Sequence, residues 1–372
     1  MTASLDALLA GLDARISGDP HVPIHGVCYD SRKVTRGVLF VALRGEHTDG
    51  HAHIDQAIHA GAQAVLVERD VPISGGPATL ARVASTRHAL PRVAARFYGE
   101  PARDMTLIGV TGTNGKTSTV RLIESILASS GRAAGSLGTI SSRYAGREES
   151  ASLTTPESVE LQQTLRQMRD AGVDHVALEV SSHSLEAGRV ATLHFSVSVF
   201  TNLTQDHLDF HGDMERYGRA KGRLFEPEYL RGWAILPAHD PQSAAFERAA
   251  RAGNNGVLTF SRCDATADVR TRGEQVDLAG SHFELLTPSG TIDVRLPLAG
   301  DFQIDNALAA AGCAHALGIS NADIAAGLAG CAAVPGRLER VASGAPAVFV
   351  DYAHTPDALE RVLERVRPLV RG

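Results

Sequence analysis

Lysine is almost missing from this chain. Of 36 basic residues only three are lysine: Lys33, Lys116 and Lys221. Cysteine is sparse as well. Cys28, Cys263, Cys313 and Cys331 lie far apart with no C-x-x-C pair, which speaks against a disulfide framework or a zinc site and for reduced thiols in a cytoplasm. No excess of basic charge is present. The net charge of −6 argues against a general nucleic-acid binder, although a local basic site for an anion stays open. No apolar run approaches the ~20 residues needed to span a bilayer. Met1-Thr2-Ala3-Ser4-Leu5-Asp6 lacks a basic region followed by an apolar core, so neither membrane insertion nor a signal peptide is expected. Hydrophobic content of 44% and charged content of 21% describe an ordinary globular protein, and 372 residues allow two or three domains.

A lysine kept against an arginine bias marks a place to look. Lys116 lies in Gly112-Thr113-Asn114-Gly115-Lys116-Thr117, directly behind the apolar run Met105 to Val110. A glycine-rich loop that turns a strand into a helix aims backbone N–H groups at a phosphate. The lysine adds a charge on the terminal phosphates, and Thr117 offers a hydroxyl to Mg2+. The commonest phosphate-loop pattern wants Gly at position 110, where this chain has Val110. What stands is the shorter form G-T-N-G-K-T, and it predicts binding and use of a nucleoside triphosphate.

The rest of the chain reads as α/β and multi-domain. Residues 1–103 form a small α/β unit, with strands predicted at Val38 to Leu43 and Ala64 to Val67. Helices are predicted at His53 to Ala60 and Thr86 to Tyr98, and Gly99-Glu100-Pro101 marks the boundary. Residues 104–334 form a central domain with a mostly parallel sheet: strand, phosphate loop and the helix Lys116 to Ser129, then β-rich runs at His175 to Val180 and Phe195 to Thr201 with helical stretches between them. Asp264 to Val294 has the composition of an antiparallel β insertion, and Asp305 to Leu317 and Asn321 to Leu328 are Ala-rich helices. Residues 335–372 open a third unit with one strand, Ala347 to Val350, and one helix, Pro356 to Arg367. One strand and one helix cannot bury a core of their own, so the expectation is a truncated chain or a segment packed on the middle domain.

Three further places carry chemistry. Glu179 closes an apolar strand, and ligands gather at the carboxyl ends of parallel strands. It suits Mg2+ ligation or water positioning, with a solvated strand-end Glu as the alternative. Asp206, His207 and Asp209 share the loop after another such strand. A neutral His can ligate a metal while a carboxylate holds its other nitrogen, or the pair can be a capping Asp and a packed His. Lys221 is the third retained lysine. An amine of depressed pKa can add CO2 to give a carbamate, which arginine cannot do, whereas the alternative is a solvated helix lysine.

Taken in order, Gly112 to Thr117, Thr154-Thr155-Pro156, Glu179 to His183, Asp206 to Asp209, Lys221 to Phe225, Asp305-Asn306-Ala307, Pro335-Gly336-Arg337 and Asp351-Tyr352-Ala353-His354-Thr355-Pro356 resemble the Mur ligases, and among them the MurE branch. The resemblance runs from about Asp30-Ser31-Arg32 to the end of the chain. It implies an N-terminal UDP-binding domain, a central P-loop ATPase domain and the start of a Rossmann-like C-terminal domain. It implies an ATP-dependent ligase of peptidoglycan synthesis: ATP phosphorylates the D-Glu carboxylate of UDP-MurNAc-L-Ala-D-Glu, and the amine of a diamino acid attacks the acyl phosphate. Amide, ADP and phosphate leave a cytoplasmic enzyme expected to be a monomer.

Carried over by position, the resemblance gives Gly112, Thr113, Asn114, Gly115, Lys116, Thr117 and Ser118 the ATP phosphates. Thr117 and Glu179 would hold one Mg2+; His207 and a CO2-derived carbamate on Lys221 would hold another. Asn306, Arg337 and Asp351 would contact the nucleotide. Thr154, Thr155, Ser181 and Arg189 would bind the muramyl-peptide, and Ser31, Glu46, His47 and Thr48 the uridine nucleotide. The chain departs from the family at Ala187, where many relatives carry Gln, and at Leu153, where some carry Asn. An Asp-Asn-Pro-Arg string, the family's mark for meso-diaminopimelate, does not occur here. Meso-diaminopimelate is the favoured amino acid and L-lysine the alternative. Two other readings are a sister ligase such as a folylpolyglutamate or cyanophycin synthetase, and a nucleotide- and UDP-sugar-binding protein without turnover. Asp30-Ser31-Arg32 and Leu39 to Gly45 argue against the sister ligase.

Overall fold

The computed structural model describes the chain except for Glu46, His47, Ile73, Gly75, Pro77, 343–345, 354–355 and 370–372. It divides into two compact units: Met1–Asp104 with Pro156–Arg169 and Glu186–Thr192, and Met105–Thr155 with Asp170–Leu185 and Leu193–Gly372. Two segments expected inside the 104–334 domain therefore group with the first unit. The 335–372 segment groups with the second unit.

The first unit is built on a five-stranded sheet in the order Arg15–Ser17, Thr79–Arg82, Ala64–Val67, Val38–Val41, Gly26–Cys28. All neighbours are parallel except the first pair. Successive side chains of a strand point to opposite faces, and here both faces are apolar. Leu39, Val41 and Leu66 enter one core with the helix Thr86–Phe97; Val38, Phe40 and Val65 enter another with the helix Ile54–His59. That is why the two central strands read as unbroken hydrophobic runs.

The second unit carries an eleven-stranded sheet. Its middle is parallel, in the order Ala134–Leu137, His175–Glu179, Thr106–Thr111, Phe195–Phe200, Leu230–Pro237, Gly256–Ser261, Val269–Asp277. Antiparallel strands close both edges: Ser141–Tyr144 with Arg147–Ser150 on one side, Gly280–Thr287 with Gly290–Leu296 on the other. The β-rich stretch expected as an insertion is thus continuous with the main sheet, through two parallel partner pairs at Phe260 and Ser261.

The helix Lys116–Ser129 lays Val120, Ile123 and Leu127, spaced three and four apart, against this sheet. The helix Phe302–Ala316 is buried almost all round, which its alanines permit. The helix Asn321–Ala329 comes still closer. A Cβ placed on Gly327 would stand 2.4 Å from Ile126 Cα, and Ser125 Oγ donates to Gly327 O at 2.6 Å. Among the described residues no helix is long and apolar enough to cross a membrane.

Candidate active site

The loop between the strand Thr106–Thr111 and the helix Lys116–Ser129 is held from behind by 201–204. Thr113 N donates to Asn202 O at 2.9 Å, Asn114 N to Asn202 Oδ1 at 3.0 Å, and Thr201 Oγ1 to Asn114 O at 2.6 Å. Thr113 Oγ1 donates to Thr204 O at 3.2 Å and accepts from Thr204 N at 3.0 Å. Asn114 Nδ2 also donates to Thr204 Oγ1 at 3.3 Å, so the side chains of Thr113 and Asn114 are scaffold, and the N–H groups that open the helix at Lys116 are what the loop presents to an anion. Asn306, buried, braces the same turn: its Oδ1 lies 3.4 Å from Thr119 Oγ1, and its Nδ2 donates to Gln303 Oε1 at 2.9 Å.

Two of the three lysines converge here. Lys116 Nζ donates to Gly112 O and Thr113 O, both at 2.8 Å, and Lys221 Nζ donates to the same Gly112 O at 2.9 Å. Lys221 is 1% exposed, and its amine also lies 4.4 Å from the centre of the Tyr217 ring. Burial lowers the pKa of both amines; for Lys221, whose pKa falls well below its ordinary value, the charge of Lys116 adds to the effect. The solvated-lysine alternative is thereby removed for Lys221.

Glu179 is equally buried and is gripped by Thr139, whose N donates to Oε1 at 2.9 Å and whose Oγ1 lies 3.0 Å from Oε2. Glu179 and Thr117 line one small cavity of about 20 Å³, with Ser136, Gly138 and Pro335. That volume admits a single water or ion. Its carboxylate and hydroxyl are hard oxygen donors of the kind Mg2+ takes while keeping waters or phosphate oxygens in its other positions. Arg337 Nη2 donates to Thr117 Oγ1 at 3.3 Å. Asp351 uses both oxygens on backbone, accepting from Leu338 N at 2.7 Å and Ala353 N at 2.8 Å.

His207 has φ 50° at the start of the short helix Leu208–His211, and its Nε2 is 3.5 Å from Asp206 Oδ2. Burial lowers its pKa against the pull of Asp206. Its ring meets that of His183 edge-on at 4.8 Å. Thr155 Oγ1 donates to Glu179 O at 2.9 Å and accepts from Ser181 N at 3.1 Å, and Thr154 Oγ1 lies 3.1 Å from Thr139 Oγ1.

In the first unit Ser31 Oγ donates to Gln56 Oε1 at 3.1 Å, and a cleft of about 500 Å³ lies beside the same turn, bordered by Tyr29, Asp30 and Lys33. Thr48 is exposed and closes a turn, its O accepting from Gly45 N at 2.8 Å; Glu46 and His47 lie outside the described residues. Arg189 is held by Glu157, Nε to Oε1 at 2.8 Å, and Arg87 takes the other oxygen at 2.9 Å.

Residues 110–314 match the Mur ligase middle domain, and residues 23–98 match the catalytic domain of the Mur ligase family. A UDP-N-acetylmuramoyl-L-alanyl-D-glutamate–2,6-diaminopimelate ligase of Gloeobacter violaceus is 44% identical over 99% of this chain and 74% of its own length. A UDP-N-acetylmuramyl-tripeptide synthetase of Roseiflexus is 43% identical over 94% of the chain and 71% of its own. The chain belongs to the Mur ligase family. A solved 2,6-diaminopimelate ligase structure superposes with a TM-score of 0.84 at 29% identity, covering 100% of this chain and 75% of that one.

Within the second unit, the P-loop, Lys116, Thr117, Lys221, Asn306 and Arg337 form one bonded group, while Glu179, Thr154, Thr155 and Ser181 form another around Thr139. Asp206, beside His207, is close enough to act electrostatically on both Lys116 and Lys221. Sequence reasoning missed Thr139, Asn202 and Glu157. Asn202 was legible in part, because it follows a strand end where ligands collect; Thr139 and Glu157 gave no periodic or motif signal of their own.

Proposed function

We propose that this Mur ligase adds meso-diaminopimelate to UDP-N-acetylmuramoyl-L-alanyl-D-glutamate with ATP, in peptidoglycan synthesis. The observation that carries the reading is the meeting of Lys116 and Lys221 on the Gly112 carbonyl at the mouth of the phosphate loop. Lys116 at that point answers the physical difficulty of the reaction, which is to bring a carboxylate and a γ-phosphate, both anions, into contact, and the buried Lys221 beside it is placed for carbamate chemistry.

Lys116 and the N–H groups at the start of its helix hold the terminal phosphates of ATP. Thr117 and Glu179 would hold Mg2+, which supplies charge neutralisation between the phosphate oxygens. The D-Glu carboxylate oxygen attacks the γ-phosphorus and ADP leaves; the resulting acyl phosphate takes the amine nitrogen of the diamino acid, which gives up a proton, and phosphate departs with its bond to carbon broken. Thr154, Thr155, Ser181 and Arg189 serve the muramyl-peptide, and Ser31 and Thr48 the uridine end. Lys221, whose pKa burial lowers, is suited to carry a carbamate that with His207 would supply a second anionic site for Mg2+. On this reading the enzyme works as a cytoplasmic monomer on small-molecule substrates.

The test is phosphate release with ATP, Mg2+ and UDP-MurNAc-L-Ala-D-Glu, comparing meso-diaminopimelate, L-lysine and no amino acid. Release that depends on meso-diaminopimelate is expected. Dependence on L-lysine instead would correct the specificity, and no release with either would favour nucleotide and UDP-sugar binding without turnover.

A further inference from the structure

We infer that Thr139 is a positioning residue for the ligase reaction, fixing both the carboxylate of Glu179 and the hydroxyl polarity of Thr154. The inference rests on the ligase reading and assigns to Thr139 a role that the motifs leave unassigned. Thr139 follows the strand Ala134–Leu137 in a turn. Its backbone N–H takes Glu179 Oε1 and its hydroxyl takes Oε2, so one residue sets both oxygens of a side chain that is 1% exposed. The approach depends on the residue before it. A Cβ on Gly138 would stand 2.2 Å from Glu179 Oε1, so only glycine lets the carboxylate lie against this turn.

Counting protons orders the rest. Thr139 Oγ1 is within hydrogen-bond distance of both Glu179 Oε2 and Thr154 Oγ1, but it owns one proton. A carboxylate offers only lone pairs, so that proton goes to Glu179. The 3.1 Å contact between the two threonines is then made by Thr154 donating to Thr139. Thr154 Oγ1 therefore meets a ligand as an acceptor, and it selects an N–H or O–H group, such as a peptide amide, over a carbonyl. The chain Thr154 to Thr139 to Glu179 couples the hydroxyl that reads the peptide to the carboxylate facing the cavity shared with Thr117.

The test uses the full chain and calorimetric binding of ADP titrated with and without Mg2+, alongside KM for the UDP-muramyl-dipeptide. Wild type should bind ADP more tightly with Mg2+; if it does not, the ligase reading fails rather than this one. Thr139→Val should lose about tenfold of the Mg2+ enhancement, the worth of one hydrogen bond to a charged group, with metal-free ADP affinity unchanged and the dipeptide KM raised. Thr139→Ser should restore both. Should valine disturb folding, Thr139→Ala makes the same comparison in a smaller volume. A hydroxyl-free variant that is folded and keeps the full Mg2+ enhancement, or a serine variant that loses it, would overturn the inference.

Discussion

At the scale of single residues, the scarcity of lysine was the most useful signal, and the structure gives it a physical basis. Arginine cannot replace either amine at Gly112 O. Its guanidinium is planar and larger, stays charged when buried, and cannot add CO2. Lys221 is enclosed by Tyr217 and the phosphate loop, so a permanent cation there would be costly. We expect Lys221→Ala and Lys221→Arg each to lose most phosphate release. Bicarbonate or a short carboxylic acid should partly restore the alanine variant, where space is left, and not the arginine variant. Full activity in Lys221→Ala would remove the carbamate from the mechanism. Thr139 shows the opposite case. Its importance comes from a contact forty residues away in the chain, at Glu179, and a lone threonine in a turn carries no pattern that would announce such a partner.

At the scale of elements, apolar patterning served well where an element buries one face or both and badly where it buries none. The helix Lys116–Ser129 and the strand Ala64–Val67 have the limits their residues predict. The edge strands Ser141–Tyr144 and Arg147–Ser150 are polar, and Arg147–Ser150 is exposed throughout; nothing in their residue types separates them from loop. The stretch 264–294 read as an insertion because its alternation is antiparallel in kind, whereas its join to the main sheet is a two-pair contact with no signature. The close approach of Asn321–Ala329 to the phosphate-loop helix was likewise invisible, since it depends on backbone meeting backbone at Gly327. Gly327→Ala should force the two helices apart and destabilise the second unit by about 1–3 kcal/mol, the usual cost of overpacking. Chemical denaturation would measure it, and a change below about 0.5 kcal/mol would mean that the helices separate freely.

At the scale of the whole chain, each unit has its own sheet and its own core, and the candidate residues divide between them. Ser31, Thr48 and Arg189 belong to the unit of the five-stranded sheet; the phosphate loop, Glu179 and both lysines belong to the other. Sequence motifs nominated these residues but could not say that Pro156–Arg169 and Glu186–Thr192 group with the first unit, because grouping is decided by packing and not by order along the chain. Among the described residues Lys116 bonds only within the phosphate loop, to Gly112 O and Thr113 O, and sites with no shared partners contribute independently. Lys116→Ala should therefore reduce ATP-dependent phosphate release by roughly 10²-fold or more, the scale of removing one preorganised charge-stabilising donor. The affinity for UDP-MurNAc-L-Ala-D-Glu, measured by calorimetry without nucleotide, should stay within about twofold of wild type. Parallel loss of both would mean that the uridine substrate depends on the phosphate loop for its own binding, and the separation of its binding residues from that loop would have to be abandoned.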